Sequence, residues 1–246
     1  MITNHSTQRG RPSTIEAGGI PVTIYRKAIK NLHIGVYPPD GRVRVSAPLR
    51  LDDEAIRLAI ISRLNWIRQK QKSFARQVRE SAREMVTGES HYFQGRRYRL
   101  DVTERPGRPQ IRIVNNTTMA LAVKPGTDTS GRWRVMERWY RRQLRDMLPA
   151  LVEKWELVIG VQVAETRIKR MKTRWGSCNI DARRIWVNLE LIKKPVACLE
   201  YILVHEMVHL LERYHNERFK KFMDRFLPDW QVRRDELNRQ PLPRNE

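Results

Sequence analysis

Residues 205 to 209 read His-Glu-Met-Val-His. Two histidines at i and i+4 on a helix stand about 40° apart and one turn along, so both imidazoles can meet one ion from the same side. Glu206 leans toward that side and can reach a metal-bound water without being a ligand. A shuffled chain of this composition contains H-E-x-x-H in roughly one case in a hundred, so the surroundings of the motif must decide. They favour a metal. From Val196 to Leu211 the sequence is nearly apolar all round, and its polar members are Glu200, His205, Glu206 and His209. A helix of that kind is buried. A buried carboxylate beside two imidazoles is costly without a partner, and a divalent cation supplies one. A lone histidine here would more simply be a core residue bonded to a carbonyl; the set points to metal.

A catalytic zinc site takes three protein ligands and leaves a fourth position for water. Besides the pair, the chain has His5, His33, His91 and His215. His215 is the nearest, six residues past His209. On an unbroken helix it would point roughly 240° away. The helix must therefore end near Arg213 and the chain must turn back. Asn216 suits the N-cap of a new helix, with Glu217 at its positive end. Glu212 and Glu217 are rival third ligands, and His215 is preferred because imidazole suits zinc. The expected set is Zn2+ on His205, His209 and His215, with Glu206 as general base.

These residues need elements to hold them. Helices are expected over about 195–212, 217–227 and 230–239, with Pro195 in the first turn. A long helix over 132–158 carries Trp133, Trp139, Leu144, Leu148 and Trp155, and Pro149 is a candidate kink. Strand patterns occur at 21–25, 32–37 and 43–46, with Asp40-Gly41 as a hairpin signal. A helix is expected over 52–78. Further strand patterns lie at 91–93, 98–102, 111–114, 119–123, 161–171 and 185–189. No internal repeat is visible. The order predicts an α+β fold, β-rich at the amino terminus with intervening helices and with helices clustered at the carboxyl terminus. The expected organisation is a disordered leader over 1–20, a β-rich region over 21–130 and a carboxyl-terminal domain over 131–246.

Composition narrows the class. At 40% hydrophobic and 30% charged, the 246 residues suit a globular chain with a real core. The polar start has no apolar h-region, so no signal peptide is expected. Two cysteines, Cys178 and Cys198, are too few for a disulfide framework, and a cytoplasmic location is the simplest reading. The net charge is +21, and residues 1–160 hold 30 of the basic and 15 of the acidic side chains. Such a field concentrates polyanions, and DNA association through the basic surface is expected alongside the plainer reading of a solvated basic face.

Several strings together carry a family likeness. Lys172-Thr-Arg-Trp-Gly-Ser-Cys178, Trp186-Val-Asn-Leu, Pro195, His205-Glu-x-x-His209-Leu and His215-x-x-x-Phe219 resemble the YgjP-like metallopeptidases, relatives of the SprT-like zinc proteases. Asp40-Gly41-Arg-Val-Arg-Val-Ser and the Asn65-Trp66-Ile67 helix extend the likeness upstream, so it covers about residues 21–238. It implies zinc at His205, His209 and His215, Glu206 as base, and peptide-bond hydrolysis. It also implies that the domain over 131–246 is a metallopeptidase domain with a zincin-like helical metal-binding core. The spacing of the third histidine is also that of metzincins, but the glycine of their turn is Glu212 here, so the turn must be made another way. The R-W-G-S-C string has two readings. In the functional one, Arg174 or Trp175 lines the cleft and Cys178 sits near the metal. In the structural one, favoured on residue type, Gly176 and Ser177 form a bend and Trp175 packs under the active-site helix. Cys178 as a fourth ligand would close the site. Arg174, Tyr201 and Tyr214 are open candidates for oxyanion stabilisation. The competing function is a basic nucleic-acid-binding protein with a non-catalytic zinc core.

Overall fold

The structure is a computed structural model and describes residues 12–37, 40–76, 84–171 and 173–239. It is a mixed α+β chain, with sheets toward the amino terminus and helices toward the carboxyl terminus. Near residue 80 it divides into two compact units, each with its own apolar core.

In the first unit, β1 (Ser13–Ala17), β2 (Ile20–Lys27), β3 (His33–Tyr37) and β4 (Arg42–Pro48) form a sheet in the order β1-β2-β4-β3. Val22 pairs with Val43 and Ile24 with Val45, so one face of both strands is apolar. Ile56 of α1 (Asp53–Ile61) and Ile67 of α2 (Leu64–Arg76) complete this core. The single helix expected over 52–78 is thus two. Asp52 caps the first by accepting the Ala55 amide at 2.8 Å. The Ser62 hydroxyl donates to the Ala59 carbonyl at 2.9 Å, a local bond that competes with helix continuation. Strand β1 lies inside the stretch expected as a disordered leader. Gly18 and Gly19, with φ of 58° and 76°, close a two-residue hairpin to β2, and Ala17 is buried. Residues 1–11 lie outside the described residues.

The second unit opens with β5 (Ser90–Phe93), β6 (Arg96–Glu104), β7 (Gln110–Ile113) and β8 (Thr118–Val123), in the order β5-β6-β8-β7. This is the topology of the first sheet again: a two-residue hairpin, then a parallel pairing of the second and fourth strands, with the third at the edge. Gln94 and Gly95, at φ of 50° and 79°, play the part of Gly18-Gly19. The sequence hides this repetition because alternation and turn chemistry specify the topology, not particular residues.

Helix α3 (Thr129–Ile159) runs through Pro149, which faces the exposed side. The expected domain boundary at 130/131 falls within it. Strands β9 (Glu165–Lys169), β10 (Gly176–Asn179) and β11 (Arg184–Asn188) form a second sheet in the order β10-β11-β9. A 3-10 turn (Leu189–Lys193) leads into α4 (Val196–Val208), followed by α5 (Glu217–Phe226) and α6 (Trp230–Arg239). Helix α4 is buried on most sides, as its uniform hydropathy requires. Its half-buried Glu200 bridges two other helices, meeting Lys154 of α3 at 2.7 Å and Arg233 of α6 at 3.0 Å. Among the described residues, no helix is long and apolar enough to cross a membrane.

Candidate metal centre

Helix α4 brings His205, Glu206 and His209 to one end of a cleft of about 1040 Å³. His209 is the C-cap, at φ −63° and ψ −18°. The chain leaves the helix by tightening: the Leu210 and Leu211 amides bond back to the Met207 and Val208 carbonyls at 3.0 and 2.9 Å. This turn needs no left-handed residue, and Glu212 does not have a positive φ. That explains how a side chain stands where the metzincin pattern has glycine. Asn216 then caps α5 by accepting the Phe219 amide at 3.0 Å. His215 sits in the turn just before that cap and is folded back onto the α4 pair.

The three imidazoles converge. Among the described residues their ring nitrogens form a group whose members all lie within 4.8 Å of one another. Nε2 of His215 is 2.9 Å from Nε2 of His205. Nδ1 of His209 donates to the Glu212 carbonyl at 3.1 Å, which fixes its tautomer and leaves Nε2 as a lone pair for the cluster. Burial first, then the neighbouring imidazoles, push the His205 pKa down to about 3. Burial likewise lowers that of His209, and the Glu212 carbonyl opposes it. Two lone-pair nitrogens facing each other at 2.9 Å are unfavourable unless a proton or a cation lies between them. A tetrahedral ion with bonds of about 2 Å holds such nitrogens about 3.3 Å apart, so the donor set fits a divalent cation closely. The rival carboxylates are engaged elsewhere: Glu212 accepts the Tyr214 amide at 3.1 Å, and Glu217 pairs with Lys220 at 2.6 Å. His33 is on β3 and His91 on β5, outside the cluster.

Phe219 was not singled out for a role by its sequence context. Its ring lies 4.9, 4.8 and 4.7 Å from the rings of His205, His209 and His215, an apolar floor common to all three. The available signal is the Asn216 cap, which makes residue 219 the third position of α5 and turns it inward.

Glu206 is 6% exposed. Burial pushes its carboxyl up to about 8, against the pull of the Arg174 guanidinium and of the Cys178 amide, which donates to it. The R-W-G-S-C string lines the cleft, Arg174 and Trp175 from the segment before the edge strand β10 and Gly176 to Cys178 from the strand itself. Both readings hold in part: Arg174, Trp175 and Cys178 line the cleft, Trp175 also packs against the core, and Gly176 and Ser177 lie in a strand where a bend was expected. Gly176 is needed because the strand presses on α4: a Cβ there would lie 2.7 Å from Oε1 of Glu206 and 2.8 Å from Cγ2 of Ile202. Gly176→Ala is expected to lower stability by about 1–3 kcal/mol as an over-packed contact. Denaturant unfolding measures this, and an unchanged midpoint would mean that the helix and strand separate at no cost. Burial and the Glu206 carboxylate raise the Cys178 thiol to about 11, so it is not a ready thiolate, and it is not a member of the imidazole group.

Buried Asn188 fixes the loop that leads into β10. Its Nδ2 donates to the carbonyls of Met171 and Arg174 at 2.9 and 2.7 Å, and its Oδ1 accepts the Met171 and Glu190 amides at 3.3 and 3.2 Å. A side-chain amide using both ends in this way sets the path of an otherwise irregular segment. Of the three residues considered for charge stabilisation, Arg174 and Tyr201 both line the cleft, the Tyr201 ring also stacking on Trp230 at 6.4 Å, and Tyr214 is 68% exposed and outside the lining.

Three convergent imidazoles with a buried carboxylate, open to a cleft, define a candidate hydrolytic metal centre on an α+β scaffold. The family model described as YgjP-like, metallopeptidase domain, matches residues 30–240, and the chain belongs to that family. No curated protein matches the chain. Among solved structures, the metallopeptidase zymogen of Pyrococcus abyssi abylysin is similar at 22% identity, covering 37% of this chain and 91% of that one. The TM-score of 0.35 is too low for any detail to be carried across.

Proposed function

We propose that the protein is a zinc-dependent metallopeptidase with a zincin-like core. The observation that carries this reading is the convergence of three imidazole nitrogens within 4.8 Å in a cleft also lined by Glu206. His205, His209 and His215 would hold the ion. When bound, it supplies Lewis acidity that polarises a peptide carbonyl and makes water more acidic.

The chain's own residues do the rest. Glu206 accepts the proton of the attacking water at its carboxylate and returns it to the departing amine nitrogen. The Cys178 amide holds that carboxylate in place. The Arg174 guanidinium, at the cleft wall, offers a donor to the oxyanion that develops on the carbonyl. Strand β10 pairs with β11 on one side only, so its other edge can take an extended peptide by main-chain hydrogen bonds. That suits a substrate recognised as a strand.

A non-catalytic zinc core serving a nucleic-acid binder fits less well. A structural site is closed by four ligands and has no use for a buried carboxylate beside it. The test is casein hydrolysis by the purified protein. Activity is expected with zinc, lost after removal of the ion by a chelator and restored by added zinc. Hydrolysis that survives complete metal removal would overturn the proposal, as would its absence from zinc-loaded, folded protein.

A further inference from the structure

A second cavity, of about 590 Å³, lies between β7 with the segment before it and helix α3, and shares no lining residue with the cleft of the imidazole cluster. Its lining contains four arginines, Arg108, Arg112, Arg138 and Arg142, and no acidic residue. All four are exposed, whereas Ile111, Val135 and Trp139 beneath them are buried at 4%, 7% and 6%. The result is a groove with an apolar floor and a cationic rim. Among the described residues, no hydrogen bond or ion pair engages any of the four guanidinium groups. The contrast with the adjacent position is direct: Arg141 is bonded to Glu137 at 2.9 Å and to the Ile168 carbonyl at 2.9 Å. The groove therefore gathers like charges without the partners that the same helix supplies one residue away. Holding four cations together with no anion is unfavourable in itself, and a bound polyanion removes the cost.

We propose that this groove binds single-stranded nucleic acid through its phosphate backbone. Arg138 and Arg142 stand one helical turn apart, about 6 Å along the axis, so each can grip a separate phosphate. Guanidinium groups bind phosphate oxygens bidentately, and four of them can follow a flexible strand. The recessed apolar floor suits sugar and base edges, which an acidic peptide does not offer. A concave groove rimmed by arginines, with half-buried Pro109 as its least recessed apolar side chain, does not suit a bilayer plane. Trp139 packs against Phe93 and Tyr140, with ring centroids 4.7 and 5.3 Å away, so it is committed to the core and base stacking is not part of the recognition. Binding is accordingly independent of sequence. The net charge of +21 adds long-range attraction to the same polymer.

The test is fluorescence anisotropy of a labelled oligo-dT with the full chain over a series of salt concentrations. Affinity is expected to fall steeply with salt. Arg138→Gln with Arg142→Gln removes two phosphate contacts and should flatten the slope of log K against log salt by about 1.4. Lys221→Gln with Arg225→Gln, an equal change of charge on the exposed side of α5, should leave the slope unchanged. Thermal midpoints of both variants verify that they are folded. Equal flattening by the two pairs would overturn the groove in favour of diffuse attraction. Displacement of oligo-dT by polyglutamate or by anionic phospholipid vesicles at equal charge concentration would reassign the groove to those partners, and absence of oligo-dT binding at low salt would end the proposal.

Discussion

Glu206→Gln is expected to slow peptide hydrolysis by about 10²–10⁴-fold while leaving metal content unchanged. The substitution keeps the shape of the side chain and an oxygen that can still accept the Cys178 amide. What it removes is the capacity to take a proton from water and pass it to the amine. The present carboxylate sits in a place that burial makes unfavourable to charge, with a pKa pushed up to about 8. A neutral amide does not carry that penalty, so the variant is expected to be at least as stable as the parent. A thermal melt, metal analysis and a casein assay on the same preparation separate the three effects. Parental turnover would remove Glu206 from the mechanism. Loss of metal together with activity would instead recast it as a residue that supports the ion.

His205→Ala is expected to abolish stoichiometric metal binding and all hydrolysis. The loss should exceed the ~10–100-fold in affinity that follows removal of an outer-shell partner, because a direct ligand is gone. Within the cluster His205 is strongly perturbed: burial and its two histidine neighbours push its pKa down to about 3. A depressed pKa means that the unfolded chain binds the proton more readily. Stability and ion binding are therefore both expected to weaken as pH falls from about 6.5 toward 3. His33→Ala is the matching control, since that histidine is on β3 and outside the cluster. Metal bound one-to-one by His205→Ala, or lost equally in His33→Ala, would refute the assignment.

Much of the site could be read from the chain because it is local. The i, i+4 histidines, the intervening apolar run and the Asn216 cap lie within about twenty residues, and helical periodicity alone relates them. The α+β class followed from alternation and from turn residues in the same way. Other features were hidden. One expected helix became two where Ser62 bonded to its own helix. The repeated four-strand topology left no trace in residue identity, and β1 arose where a leader was expected. Such features depend on pairings across distance, which a pattern of types does not encode.

The chain by itself supplied the candidates: two imidazoles on one buried helix face, a carboxylate next to the first, and, beyond an unavoidable turn, His215 preferred over Glu212 and Glu217 as the third ligand. Only the tertiary structure decided what surrounds them. It brought Phe219 under all three rings, turned the Arg174–Cys178 segment into the opposite wall and made Gly176 the point where strand and helix touch. It also set four arginines of α3, β7 and the segment before β7 around one groove. The physical reason is range. Spacing along a helix fixes neighbours within a turn or two, whereas the approach of a strand to a helix is fixed by the packing of a whole core.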